Sequence, residues 1–353
     1  MIARRKLLRT ALSACAAPLA ARGQAGGVDD AANIKLARRL NAAAVTDDDL
    51  IFLKQIGLRY VRLEFPEAEI SFDSLRSAQQ RFARFGMEIY SGVHPSYRSL
   101  KVQLGQPGRD RDIEIYCRFL RNLGKLGIPL ASYDFHTANT YTTNSVERRG
   151  YIAREFDLDD FRRRVEKQRF EREYSADDIW ANYTYFMKAV LPAAQEAGVK
   201  LGLHPDDPPL ARMNGVAKIF TRYEGYRRAE QIAAGSPNWG LTFCVGTWSE
   251  GGAAMGKTVS EMIRDFGGRG KIFEVHFRNV TGTLPHFVET FPDDGYVDMY
   301  QVMKALRQVR FSGAAEPDHV PRLAGDSGVL RAGTAYCLSY MRALLRRANE
   351  EVG

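Results

Sequence analysis

KLGLH (Lys200–His204), GLTFC (Gly240–Cys244), KIFEVH (Lys271–His276) and GAAEPD (Gly313–Asp318) are four short apolar segments, each closing on a side chain able to hold a metal. The intervals between the closing residues are 40, 32 and 42 positions. One strand–helix–strand unit takes about 30 or more residues, so each interval accommodates one such unit. Working back toward the N-terminus, Ile34–Arg38, Tyr60–Glu64, Met87–Val93 and Pro129–Phe135 read as four further strands. Amphipathic helical stretches lie between them, including Phe72–Phe85, Asp110–Leu126, Ile179–Ala197, Thr258–Phe266 and a last one over Thr334–Glu350. Strands alternating with helices imply a parallel sheet, and eight units imply closure into an α/β, (β/α)8 TIM barrel over residues 30–350. All strand C-termini then meet on one face, so His204, Cys244, His276 and Asp318 converge there as candidate metal ligands.

One stretch breaks the rhythm. Residues 137–175 follow the fourth strand and read as an insertion: polar around Asn139-Thr140-Tyr141, then heavily charged from Phe161 to Tyr174. A long polar segment at a barrel mouth suits a lid or an oligomer contact. Arg162–Glu173 within it reads as a solvated pair of surface helices.

The chain has 353 residues, 45% of them hydrophobic, and a formal charge of +8. Arg4, Arg5, Lys6, Arg9 and Arg22 precede any acidic residue, and without those five the charge is +3. That bias is too small to argue for nucleic acid or an anionic membrane, though it suits a small anionic substrate. Residues 1–26 read as a twin-arginine export signal, Arg4-Arg5-Lys6-Leu7-Leu8 followed by an alanine-rich run, so the protein is expected in the periplasm. Leu12-Ser13-Ala14-Cys15 also fits a lipoprotein box, which would leave Cys15 lipid-anchored. No later segment reaches the ~20 apolar residues of a membrane helix. Cys117, Cys244 and Cys337 remain after the leader, an odd set that argues against a disulfide framework; Cys117 and Cys337 fall in helical apolar patterns and read as core.

Several residues around the ligand set carry chemistry. Arg278 and Asn279, after His276, are expected above the metal, where a guanidinium can clamp a substrate carboxylate. His319, directly after Asp318, is the candidate general acid/base, since an imidazole carries protons near neutrality. His94 and His136 close the third and fourth strands and are candidates for touching substrate, as is Arg322. In the run His204-Pro205-Asp206-Asp207-Pro208-Pro209, the two acids either orient the imidazole or turn the chain.

HPDDPP (His204–Pro209), GLTFC, VHFRNV (Val275–Val280), DDGYVDMYQVMKAL (Asp293–Leu306) and PDHVP (Pro317–Pro321), with PGRD (Pro107–Asp110) and RNLGKLGIP (Arg121–Pro129), together resemble the mannonate dehydratases, among the xylose-isomerase-like barrels. The resemblance runs from about residue 30 onward. It implies manganese held at His204, Cys244, His276 and Asp318, proton transfer by His319, and conversion of mannonate to 2-keto-3-deoxygluconate. By donor softness alone zinc fits as well, and Fe2+ is compatible. Two departures stand out. The tyrosine expected after the PDH motif is missing from Gly325-Asp326-Ser327-Gly328-Val329-Leu330, and the segment after strand four reads Tyr133-Asp134-Phe135-His136. A metal-dependent sugar or sugar-acid epimerase or isomerase is therefore the rival reading, and an exported sugar-acid-binding protein without turnover the third. A homo-oligomer is compatible with all three.

Overall fold

The computed structural model describes residues 32–68, 70–137 and 141–353. The leader, its cleavage positions and Cys15 lie outside the described residues, as do Asn139 and Thr140.

Eight parallel strands close into a barrel in sequence order: β1 (Lys35–Asn41), β2 (Tyr60–Glu64), β3 (Glu88–Val93), β4 (Leu130–Tyr133), β5 (Lys200–Leu203), β6 (Trp239–Cys244), β7 (Ile272–His276) and β8 (Ala314–Glu316), with β8 pairing back onto β1. The expected strands are all present, with no end shifted by more than three residues. The middle strands are buried along almost their whole length, because helices cover the outside and side chains fill the inside. The filling is partly charged. Arg62 stands 3.4 Å from Glu316 and 3.7 Å from Glu274 inside the barrel, and donates to Ser132 Oγ at 3.3 Å.

The helices begin where the chain offers caps. Thr46 with Asp49, Ser175 with Asp178 and Thr258 with Glu261 each form a reciprocal capping box. Cys117 and Cys337 are buried on the helices Arg109–Lys125 and Arg331–Val352. The helix expected over Thr258–Phe266 is not continuous: one α-turn, Val259–Met262, runs into a π-helical turn, Ile263–Gly267. Among the described residues no helix is long and apolar enough to cross a membrane.

Between β4 and the helix Ala176–Ala197 the chain makes structure of its own. Asn144–Arg148 and Tyr151–Asp157 form an antiparallel hairpin around Arg149-Gly150, both with positive φ. The hairpin extends into a four-stranded sheet through His286–Thr290, which pairs in turn with Asn279–Val280. Phe156 stacks on Phe287 at 5.4 Å beneath it. Ile152 and Arg322 exchange two backbone hydrogen bonds, of 2.9 and 3.0 Å, tying the hairpin to the loop after β8. The surface helix pair expected over Arg162–Glu173 is corrected: a single short helix, Leu158–Arg164, starts at the Asp157 cap, and after Val165 the chain is irregular up to Ser175.

Candidate metal centre

The ends of β5, β6, β7 and β8 bring the predicted ligands together. One donor atom from each of His204, Cys244 and His276 lies within 4.8 Å of the other two. Asp318 Oδ2 stands 3.8 Å from Cys244 Sγ and 3.8 Å from His276 Nδ1. His204 Nδ1 donates to the Pro205 carbonyl at 2.8 Å, which leaves Nε2 with its lone pair for a metal. His276 faces Glu316 Oε1 with Nε2 at 3.2 Å, and neither of its buried ring nitrogens has a hydrogen-bond partner. An orphaned imidazole nitrogen beside a thiol, a second imidazole and a carboxylate fits a divalent cation.

Burial shapes the protonation of this set. It pushes His204 down to about 4 and His276 well below its ordinary value, so both rings are neutral, as metal ligation requires. The Cys244 thiol is pushed up to about 12, against the pull of Arg278. Three donors converge on its sulfur: Thr247 N at 3.4 Å, Thr247 Oγ1 at 3.2 Å and Arg278 Nη2 at 3.6 Å. A bound cation would ionise it outright. Burial alone would raise Asp318, but His319, His276 and Arg278 hold its carboxyl well below the usual range.

Arg278 is not where a substrate clamp needs to be. Its side chain is fully buried and engaged by Asp207 at 2.8 Å, Glu250 at 2.8 Å, Glu289 at 2.7 Å and Asp318 at 3.2 Å. The expected carboxylate clamp is corrected to a buried hub that ties the segments following β5, β6 and β7 to Asp318. Asn279 is likewise structural: its amide donates to the Pro292 and Val297 carbonyls and accepts from Val280 N and Val297 N. His94 is buried away from the cavity, accepting from Ser96 N and facing the Glu67 carbonyl at 3.1 Å. It caps a turn and lines neither cavity at the ligand face. Of the paired acids, Asp206 accepts from Ile219 N and Phe220 N and turns the chain, while Asp207 takes Arg278.

The remaining candidates do line the site. An inner cavity of about 30 Å³, the room of one ion or water, is bordered by His136, His204, His276, Asp318 and His319. His136 stands 3.6 Å from Asp134, whose carboxyl is gripped by Arg98 at 2.9 and 2.6 Å and by Tyr97 OH at 3.1 Å. An outer cavity of about 470 Å³ follows, walled by the hairpin and lined by His319 and Arg322. His319 sits at φ 47, a conformation uncommon outside glycine, and its Nδ1 lies 3.0 Å from Glu289 Oε2. Tyr336, the tyrosine nearest the PDH motif, bonds Asp293 from the last helix and is absent from both cavities. Sequence reasoning missed Glu250, Glu289 and Glu316; the only local signal was Glu316 two positions before Asp318.

The model of the family D-mannonate dehydratase (UxuA) matches residues 152–351. The chain belongs to the D-mannonate dehydratase family. The mannonate dehydratase of Thermotoga maritima is 31% identical over 343 residues, covering 84% of this chain and 91% of that protein. Mannonate dehydratase 2 of Halalkalibacterium halodurans is 32% identical over 254 residues, 64% of this chain and 72% of that one. The crystal structure of mannonate dehydratase from Streptococcus suis serotype 2 superposes with a TM-score of 0.81 at 27% identity, over 91% of this chain and 96% of that chain.

Proposed function

We propose that this protein is a metal-dependent sugar-acid dehydratase that converts mannonate to 2-keto-3-deoxygluconate. The observation that carries the reading is the cluster of His204, Cys244 and His276 at the ends of consecutive barrel strands, with Asp318 and His319 beside it. A divalent metal held by these residues, manganese by family resemblance, supplies Lewis-acid stabilisation for charge developing on the substrate carboxylate.

The rest falls to the chain itself. Dehydration removes the proton next to the carboxylate and expels the hydroxyl of the following carbon as water; the resulting enol then becomes the 2-keto acid. His319, at the junction of the two cavities, is the group in reach to carry a proton between them. Glu289 at its Nδ1 leaves Nε2 for the reaction. His136 and Asp134 offer polar contacts to the bound hydroxyls from the opposite wall, and Arg322 lines the mouth through which an anion enters.

The missing tyrosine favours one alternative, an epimerase that takes the same proton and returns it on the other face. Incubation with a panel of aldonic and uronic acids in deuterated water, read by NMR, separates the two. A keto-deoxy acid is the expected product. Deuterium at the α-carbon without loss of water would replace dehydration with epimerisation, and no change across the panel would remove the catalytic reading.

A further inference from the structure

With Arg278 locked beneath the ligands, the substrate carboxylate needs another cation. Three arginines border the inner cavity: Arg39, Arg62 and Arg98. Arg62 is held inside the barrel by Glu274 and Glu316, and Arg98 is spent on Asp134. Arg39 differs from both. It is the one arginine that lines the inner and the outer cavity alike, sharing that position with Asp318 and His319. Its only ion pair among the described residues is a single contact, Nη2 to Glu64 Oε1 at 2.8 Å, with the side chain about one-third exposed. A guanidinium has five N–H donors in a planar fork, so one such contact leaves an edge free toward the cavity. The strand fixes it there: Arg39 lies in register with Arg62 on β2, near the C-terminal end of β1.

We infer that Arg39 is the substrate-binding residue that receives the acid's carboxylate, and that Glu64 competes with that carboxylate for the same guanidinium. The inference rests on the sugar-acid reading above and names the residue that gives it specificity for acids. It follows that the two members of the Arg39–Glu64 pair act in opposite directions on binding. Removing the cation weakens the acid's hold, whereas neutralising Glu64 frees the fork and strengthens it. A pair with only a structural role would weaken binding from either side.

The test is calorimetric titration of the metal-loaded protein and its Arg39→Ala, Arg39→Lys and Glu64→Gln variants with D-mannonate and with its neutral lactone, with a thermal melt of each variant. Loss of one charge-assisted pair predicts about 10- to 100-fold weaker mannonate binding by Arg39→Ala, partial recovery in Arg39→Lys, tighter binding by Glu64→Gln, and little change for the lactone in any of them. Unchanged mannonate affinity in a folded Arg39→Ala protein overturns the inference alone, as does weakening by Glu64→Gln in parallel. A wild-type protein that binds no member of the acid panel overturns the sugar-acid reading together with it. Should Arg39→Ala fail to fold, Glu64→Gln decides by the sign of its effect.

Discussion

At the scale of single residues, the site separates groups that face the cavity from groups that hold them. Cys244→Ser and His276→Ala each remove a donor, and elemental analysis is expected to find either variant largely metal-free; even the loss of a group behind a ligand costs roughly 10–100-fold in affinity. His319→Ala should behave in the opposite way, keeping its metal while turnover falls by about 10²–10⁴. Full metal in both ligand variants would contradict the assignment. The hub around Arg278 gives a pH prediction. Burial, with Asp207 and Glu289 close by, raises the Glu250 carboxyl well above its ordinary value, so it keeps its proton in the folded state. The unfolded chain releases that proton above ~4.3, so Glu250 costs stability increasingly as the pH rises from there toward its folded value. Glu250→Gln is neutral at every pH. Its Tm should equal or exceed that of the wild type at pH ~8, with the advantage fading toward pH ~4; a variant weaker at the higher pH than at the lower would refute this.

At the scale of elements, the hairpin Asn144–Arg148/Tyr151–Asp157 supports the loop that carries His319, through the Ile152–Arg322 hydrogen bonds and through Glu289 on the strand beside it. Phe156 is fully buried against Phe287. Phe156→Ala should cost about 3–5 kcal/mol in a denaturation experiment and lower turnover while metal content holds; unaltered activity would detach the hairpin from the site. The barrel strands were legible because most are largely apolar runs with a polar residue at or just past their end, and Tyr60–Glu64 matches to the residue. The hairpin was not read, although its signals were present: the Arg149-Gly150 turn and the alternation of buried Tyr151 and Ala153 about the exposed Ile152. The surrounding charges masked that alternation. The convergence of the four candidate ligands was legible because strand ends meet by topology alone. The fate of Arg278 was not, since Glu250 and Glu289 reach it from elements that are neighbours only in the fold.

At the scale of the whole molecule, the expected twin-arginine leader and the candidate metal centre bear on one another. Loading metal in the cytoplasm before export of the folded protein would shield a thiolate–imidazole site from tighter-binding copper or zinc outside. Mass spectrometry of the native protein should find an N-terminus beyond the alanine-rich run or a lipidated Cys15; an intact Met1 on protein recovered from the cytoplasm would end the export reading. The central claim is that the strand-end donors build one metal centre and that this centre drives the loss of water. Its most direct test is titration of metal-stripped protein with Mn2+ while the keto-deoxy product of D-mannonate is followed. Product formation should rise in proportion to bound metal and level off at about one ion per chain, the capacity of one four-donor set. Product formed at the same rate by metal-stripped protein, or no product at saturating metal, would contradict it.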